Sequence, residues 1–305
     1  MEYNRFLLET LIILAAIVLL FIFYKYAYRK NMGQEGFQQQ EKFVLKENAN
    51  VYDDFYGEIY DTLMNSEAQV KYDIETIFKS MQPSKTQSTM LDIGSGTGVL
   101  VNYLTEQGYI AYGLEKSKAM MDIAKSRYDI QIKNACVEDS MTYDRSLFSH
   151  IFCMNFTIYE IENKLKMLKN CYYWLQNNGY LILHLADKDK FNTIIPAGKT
   201  DDIDSIQQLG EKRITSTFID FADFTYKSDY INDNKNSQTM IHKETFTDKA
   251  TQNIRQNERV LNFDTMDEII DMALRAGFIA RGFLTMENGP SRDGSQRLYI
   301  LERLM

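Results

Sequence analysis

Short apolar runs alternate with amphipathic stretches through the middle of the chain. Thr89–Ile93, Ile110–Leu114, Ile130–Lys133 and the run from Leu147 to Phe156 have the length and branching of buried strands. Between and after them, Val99–Glu106, Lys118 to about Arg127 and Asn163–Leu175 carry apolar residues at helical spacing. A helix from about Glu67 to Met81 comes before, closed by Pro83, and Gly179 to Asp187 is a further buried strand. Strand and helix in alternation predict a parallel sheet covered on both faces, with any ligand at the carboxyl ends of the strands. From Arg213 to Phe263 the pattern changes to aromatic and Thr-rich alternation with polar turns, which predicts an antiparallel insert. Thr265-Met266-Asp267-Glu268 is a capping box, opening a helix that ends at Gly277. Two closing strands follow, Phe278–Met286 and Leu298–Leu301.

The N-terminal pattern is of another kind. Phe6 to Tyr26 is broken only by Glu9, Thr10 and Lys25, a length that matches the roughly 20 residues needed to cross a bilayer. Lys25, Arg29 and Lys30 follow the run while Arg5 alone precedes it, so the positive-inside bias puts the C-terminal side in the cytosol. A cleaved signal peptide is the rival, but no small-x-small site stands before the basic cluster. The expected organisation is an extracytosolic stub (1–5), a transmembrane helix (6–26), a polar linker (27–50) and one domain (51–305) with a lid-like insert at 213–263. Such a protein is a single-pass membrane protein with its domain in the cytosol.

Composition adds exclusions. The 305 residues are 45% hydrophobic and 25% charged, ordinary for a globular domain. A net charge of -8, from 42 acidic and 34 basic residues, gives no electrostatic reason to expect nucleic acid as a partner. Cys136, Cys153 and Cys171 are scattered, with no neighbouring ligand at metal spacing, so no metal is expected.

The strand Met90-Leu91-Asp92-Ile93 runs into Gly94-Ser95-Gly96-Thr97-Gly98 and then a helix, and Glu115 closes the next strand. Three glycines build a loop without side chains in the way: Gly94 for the tight turn, Gly96 for close approach of a ligand, Gly98 for close packing of the helix. An acid at the tip of the second strand can accept from both hydroxyls of a ribose. Nicotinamide sites normally show G-x-G-x-x-G, whereas the spacing here is G-x-G-x-G.

Asp92 to Gly98 with Glu115 resembles motif I and the ribose-binding acid of the class I S-adenosylmethionine-dependent methyltransferases, and the likeness continues through Ser117, Met120 and Met121 to Ala124. The resemblance implies a doubly wound, Rossmann-like α/β fold with a seven-stranded methyltransferase sheet, here with an antiparallel insert before the last helix and the N-terminal span. It implies S-adenosylmethionine as cosubstrate, held by Asp92, Gly94, Ser95, Gly96 and Gly98 on the methionine and ribose side and by Glu115 at the ribose. Lys133-Asn134-Ala135 departs from the family's Gly-Asp-Ala, so the adenine contact falls to Asn134, Glu138 or Asp139. Asn155 and Phe156 lie where methyl donor and acceptor should meet, and Asn155-Phe156-Thr157-Ile158 is not the sequence of N6-adenine methyltransferases. His184 is the candidate base toward a protonated acceptor, its alternative being a hydrogen-bonded core histidine. Tyr52, Tyr56 and Tyr60 resemble an aromatic segment that lies over the cosubstrate in small-molecule enzymes, with simple core packing as the other reading. The acceptor is expected to be a small molecule, with a lipid or membrane protein as alternatives. An inactive cosubstrate-binding scaffold or sensor at a membrane is the competing function.

Overall fold

The computed structural model describes residues 14, 16–20, 41–198, 212–233, 236, 238–286 and 294–304. The chain divides into Met1–Lys42 and Phe43–Met305. In the first unit, Leu14 and Ala16 to Leu20 are helical and exposed. Most of the expected span 6–26 lies outside the described residues, and among the described residues no helix is long and apolar enough to cross a membrane.

The second unit is built on a seven-stranded sheet. In chain order its elements are α1 (Asp54–Met64), α2 (Ser66–Met81), β2 (Thr89–Ile93), α3 (Val99–Glu106), β3 (Ile110–Glu115), α4 (Lys118–Arg127), β4 (Gln131–Asn134), β5 (Phe148–Cys153), the short α5 (Thr157–Glu160), α6 (Lys164–Trp174) and β6 (Leu175–Ala186). After the insert come α7 (Met266–Ala276), β11 (Phe278–Thr285) and β12 (Gln296–Arg303). The sheet order is β11-β12-β6-β5-β2-β3-β4. Strands β2 to β6 pair in parallel, and β12 pairs antiparallel with both β6 and β11.

Period-two alternation sends successive side chains to opposite faces, and each face meets its own core. Leu91, Ile93, Ile151, Leu181 and Leu183 pack with Trp174 and Leu168 of α6, whereas Met90, Phe152 and Ile182 pack with Ile74 and Ile77 of α2 and with Leu100 and Leu104 of α3. Helix ends follow local chemistry. Asp53, Ser117 and Asn163 cap α1, α4 and α6 by accepting from backbone N–H groups, and Thr265 with Glu268 forms the reciprocal capping box of α7. Gly277 ends α7 at φ +109, where Tyr172 carbon atoms also crowd any added Cβ.

The insert is a second sheet, in the order β1-β10-β9-β8-β7, from β7 (Ser216–Asp220), β8 (Phe224–Asn232), β9 (Thr239–Asp248) and β10 (Ile254–Asn262). Its fifth strand corrects the linker boundary: β1 (Phe43–Glu47) pairs in parallel with β10, Phe43 opposite Ile254 and Glu47 opposite Glu258. The folded unit therefore begins before Val51. A 3-10 turn at Asn48–Val51 carries the chain from β1 to α1, so Tyr52 precedes the helix that holds Tyr56 and Tyr60. The three rings still contact in series, at 5.8 and 5.7 Å between centroids. Strand β6 also starts four residues ahead of Gly179, with a register shift against β5 between Phe148 and His150.

Candidate functional site

At the carboxyl end of β2 the chain turns through three glycines with left-handed backbone, Gly94 at φ +69, Gly96 at +53 and Gly98 at +82. Each has a separate reason. A Cβ on Gly94 would stand 2.6 Å from Thr157 Cγ2, and one on Gly98 would stand 2.5 Å from Ile130 Cδ1 and 3.0 Å from Ala124 Cβ. Those two glycines serve packing. A Cβ on Gly96 would meet nothing nearer than Met120 Cε at 3.7 Å, so that position faces open space.

Glu115, at the tip of β3, is bound into the same loop. Its Oε2 accepts from the Gly96 N–H at 2.8 Å and its Oε1 from the Ser117 N–H at 2.7 Å. Burial raises its pKa, and the amide hydrogen bonds pull the other way. Asp92 is also buried, and desolvation with the Glu115 charge beside it pushes its carboxyl well above the ordinary range.

A cavity of about 1140 Å³ opens over this loop. Asp92, Gly94, Ser95, Gly96, Glu115 and Asn155 line it, together with Lys116, Met120, Cys136 and Glu138 on the β3 and β4 side and Asn48, Tyr52 and Tyr60 on the other. These residues fit a nucleoside cosubstrate: a bare main-chain face at Gly96, a carboxylate already oriented by two amides, and a buried Ser95 hydroxyl without a hydrogen-bond partner among the described residues. Among the described residues no group of three or more His, Cys, Asp or Glu side chains could hold a metal ion.

Four expected site residues lie elsewhere. Gly98 does not line the cavity but lets α3 approach α4 and β4. Asn134 does not line the cavity, and its amide donates to the Glu115 and Lys116 carbonyls, both at 2.9 Å, which fixes the β3 tip. Asp139 accepts from the Met141 N–H at 3.1 Å in an exposed turn, and it is Glu138, one residue earlier, that reaches the cavity. His184 is fully buried, lies 3.0 Å from Gln296 Oε1 and stacks on Phe156 at 4.8 Å, so it lines neither cavity and is placed as a core histidine. The cause is the pleat of β6, whose side chain at 184 points under the Phe156 ring.

A second cavity, about 80 Å³, adjoins the first beneath the insert. Tyr60, Ser66, Asn155, Glu160 and Arg259 line both. Asn155 and Phe156, at φ +50 and +65, place two consecutive left-handed non-glycine residues at this junction, a conformation costing ~1 kcal/mol or more per residue.

The junction is governed by Arg259 of β10, which the sequence reading did not single out. Its Nη1 donates to Tyr52 Oη at 2.7 Å and Glu160 Oε1 at 3.3 Å, and its Nη2 to Tyr56 Oη at 3.1 Å, His242 Nδ1 at 2.6 Å and Glu244 Oε2 at 3.2 Å. Tyr52 and Tyr56 pass their own protons on to Glu160 and Glu244, at 2.5 and 2.9 Å. Because His242 Nδ1 accepts from the guanidinium, its Nε2 carries the proton and donates to Ser228 Oγ at 2.8 Å. Burial brings the His242 pKa down to about 3. Burial pushes the Glu244 pKa up, but the Arg259 charge and the hydrogen bonds from Tyr226 and Tyr56 outweigh it and hold the carboxyl below the usual range. The tyrosines noted in the sequence divide between packing and cavity wall: Tyr56 is sealed in the network, and Tyr60 borders both cavities.

Comparison with known proteins agrees with this geometry. Residues 91–183 match the family described as methyltransferase domain. The ubiquinone biosynthesis O-methyltransferase of Coxiella burnetii is 28% identical over 104 residues, 33% of this chain and 44% of that protein, so the match spans less than half of the relative's length. Among solved structures, the CcbJ methyltransferase of Streptomyces caelestis is similar over 84% of this chain and 98% of its own, at 14% identity and a TM-score of 0.63. An S-adenosylmethionine-dependent methyltransferase of Clostridium acetobutylicum is similar over 82% and 97%, at 15% identity and a TM-score of 0.60. Residues 91–183 match a methyltransferase domain, and the chain around them has the Rossmann-like α/β fold seen in these solved methyltransferases.

Proposed function

We propose that the protein transfers a methyl group from S-adenosylmethionine to a small-molecule acceptor. The observation that carries this reading is a pair of adjoining cavities that share a wall at Tyr60, Asn155, Glu160 and Arg259. The larger is lined by the Gly96 loop and Glu115, and the smaller, lined in part by Tyr230, His242 and Arg259 of the insert sheet, shares Asn155 and Glu160 with it.

Glu115 is the residue that would take the ribose, since each of its oxygens keeps acceptor capacity beyond its one amide hydrogen bond. Gly94, Ser95 and Gly96 would lie along the methionine side, and Cys136 and Glu138 along the base side. The sulfonium of the cosubstrate supplies an already activated methyl group, which leaves the protein to orient the acceptor and exclude water. Tyr60, Asn155 and Glu160 stand where that orientation is set.

Titration calorimetry with S-adenosylmethionine and S-adenosylhomocysteine tests the cosubstrate. Methyl-labelled cosubstrate incubated with cell extract, then sorted into protein, RNA, lipid and small-molecule pools, tests the acceptor class. Label confined to lipid or protein overturns the small-molecule reading.

The proposal includes attachment to a membrane through residues 6–26, with the domain on the cytosolic side. Its support is the long apolar run, broken only by Glu9, Thr10 and Lys25, with Arg29 and Lys30 after it. Carbonate extraction of membranes and protease protection check anchorage and orientation separately.

A further inference from the structure

The wall shared by the two cavities has a charge and hydrogen-bond inventory that selects among acceptors. Resting on the function proposed above, we infer that the acceptor is an amine whose N–H is taken by Glu160 Oε2 at the junction of the cavities.

Three observations lead there. Arg259 is the cation of this wall, and its four terminal N–H groups are directed at five protein acceptors: the hydroxyls of Tyr52 and Tyr56, His242 Nδ1, Glu160 Oε1 and Glu244 Oε2. None of those four is left over for a carboxylate, phosphate or phenolate on the acceptor, and the fifth, at Nε, is buried, without a hydrogen-bond partner among the described residues. Glu244, fully buried and lining neither cavity, offsets the Arg259 charge while the imidazole of His242 stays neutral, which leaves Glu160 as the charge the shared wall presents. Finally, both hydrogen bonds to Glu160 arrive at Oε1, while Oε2 takes none among the described residues, and the nearby Tyr60 hydroxyl has no hydrogen-bond partner among them either. Glu160 is clamped by one oxygen and open at the other.

The chemistry suits that arrangement. The bound ammonium first gives a proton to solvent; as the freed lone pair forms the N–C bond, the C–S bond breaks with its electron pair remaining on sulfur, and positive charge passes back to nitrogen. A carboxylate fixed beside that nitrogen is favoured more in the transition state than before it. The methylated ammonium leaves and gives its extra proton to solvent. An anionic oxygen acceptor would instead meet the Glu160 carboxylate at close range, which is unfavourable at every stage.

The test uses the full-length protein loaded with S-adenosylhomocysteine. Matched primary amines, alcohols and carboxylates on aliphatic, benzyl and pentose skeletons are assayed for binding by saturation-transfer NMR and calorimetry, then for methyl transfer. The expected result is binding of amines over their matched alcohols and carboxylates, with Glu160→Gln weakening amines by about tenfold or more while S-adenosylhomocysteine affinity changes less than about threefold. A preference for alcohols or carboxylates, or no amine binding at millimolar concentration, overturns the inference. So does an equal loss of amine and S-adenosylhomocysteine affinity in Glu160→Gln. The comparison on the unaltered protein decides the matter even where the variant fails to fold. Absence of S-adenosylhomocysteine binding would overturn the proposed function as well, whereas binding without amine preference removes the amine assignment alone.

Discussion

The Gly96 main chain donates its N–H to the Glu115 carboxylate at 2.8 Å, so the glycine turn after β2 and the acid at the end of β3 form one rigid unit. With Ser117 holding the other oxygen, the carboxylate is oriented before any ligand arrives. Preorganisation of this kind lowers the ordering cost of binding.

Glu115→Ala removes an acceptor for ligand hydroxyls and leaves two backbone donors unsatisfied. Hydrogen bonds to charged groups contribute ~1.5–3 kcal/mol each, so S-adenosylhomocysteine affinity is expected to fall by one to two orders of magnitude. Calorimetry measures it, and unchanged affinity would remove Glu115 from the site.

The three glycines should separate by phenotype. Gly98→Ala sets a methyl group against Ile130 and Ala124 in a left-handed backbone, and is expected to cost ~2–4 kcal/mol of stability. Gly96→Ala meets open space, so its stability cost is ~1 kcal/mol from the backbone alone, while ligand affinity falls sharply. Denaturant unfolding and calorimetry on the pair check the contrast.

His184→Asn is expected to lower stability by ~1–3 kcal/mol through lost stacking on Phe156 and altered bonding to Gln296. The pH profile of turnover should keep its shape. A selective fall in kcat with unaltered melting would return His184 to the chemistry.

Arg259→Met leaves Glu244, fully buried, without its counter-charge, and loss of one partner from a buried pair costs ~3–5 kcal/mol. Adding Glu244→Gln should recover part of that loss. Urea unfolding of the two single variants and the double variant closes the cycle.

His242 gives the fold an acid sensitivity with a definite window. The unfolded chain protonates this imidazole near pH 6.5 and the folded protein near pH 3, so unfolding takes up a proton between those values. Its contribution to stability is complete above pH 6.5 and is lost at ~1.4 kcal/mol per pH unit as pH falls toward 3. His150, brought down to about 4 by burial, acts in the same direction. Buried Asp92, whose pKa is raised, acts against them, so the measurement is the difference in unfolding free energy between the parent and His242→Gln from pH 7.5 to 5. A flat difference would show that His242 is not held neutral.

Legibility in the sequence followed the range over which each signal acts. Strands β2 to β5 and their helices announce themselves because glycine turns, caps and alternation are local, and Gly94, Gly96 and Glu115 fall within one strand-turn-helix-strand unit. Strand β1 was hidden because its partner β10 is some two hundred residues away and Phe43-Val44-Leu45 is too brief to stand out from a polar run. Arg259 was hidden for a different reason. In β10 the buried positions are Arg255, Asn257, Arg259 and Leu261, while Val260 is exposed, so the strand reads inside out to a hydrophobic pattern. The available signal was an arginine at alternate positions of a strand facing a tyrosine-rich helix. His184 misled because a histidine in an apolar strand looks the same whether it faces a cavity or a ring.

The parallel pairing of β1 with β10 has a practical corollary. A shortened chain starting at Val51 would strip one flank of β10, leaving its main-chain donors and acceptors open to capture by strands of other molecules. It would also withdraw the Asn48 carboxamide from the Val260 N–H, a 3.0 Å bond, and take Asn48 from the cavity wall. Such a fragment is expected to self-associate and to bind its ligand poorly, and the fault would lie in the cut rather than in the site.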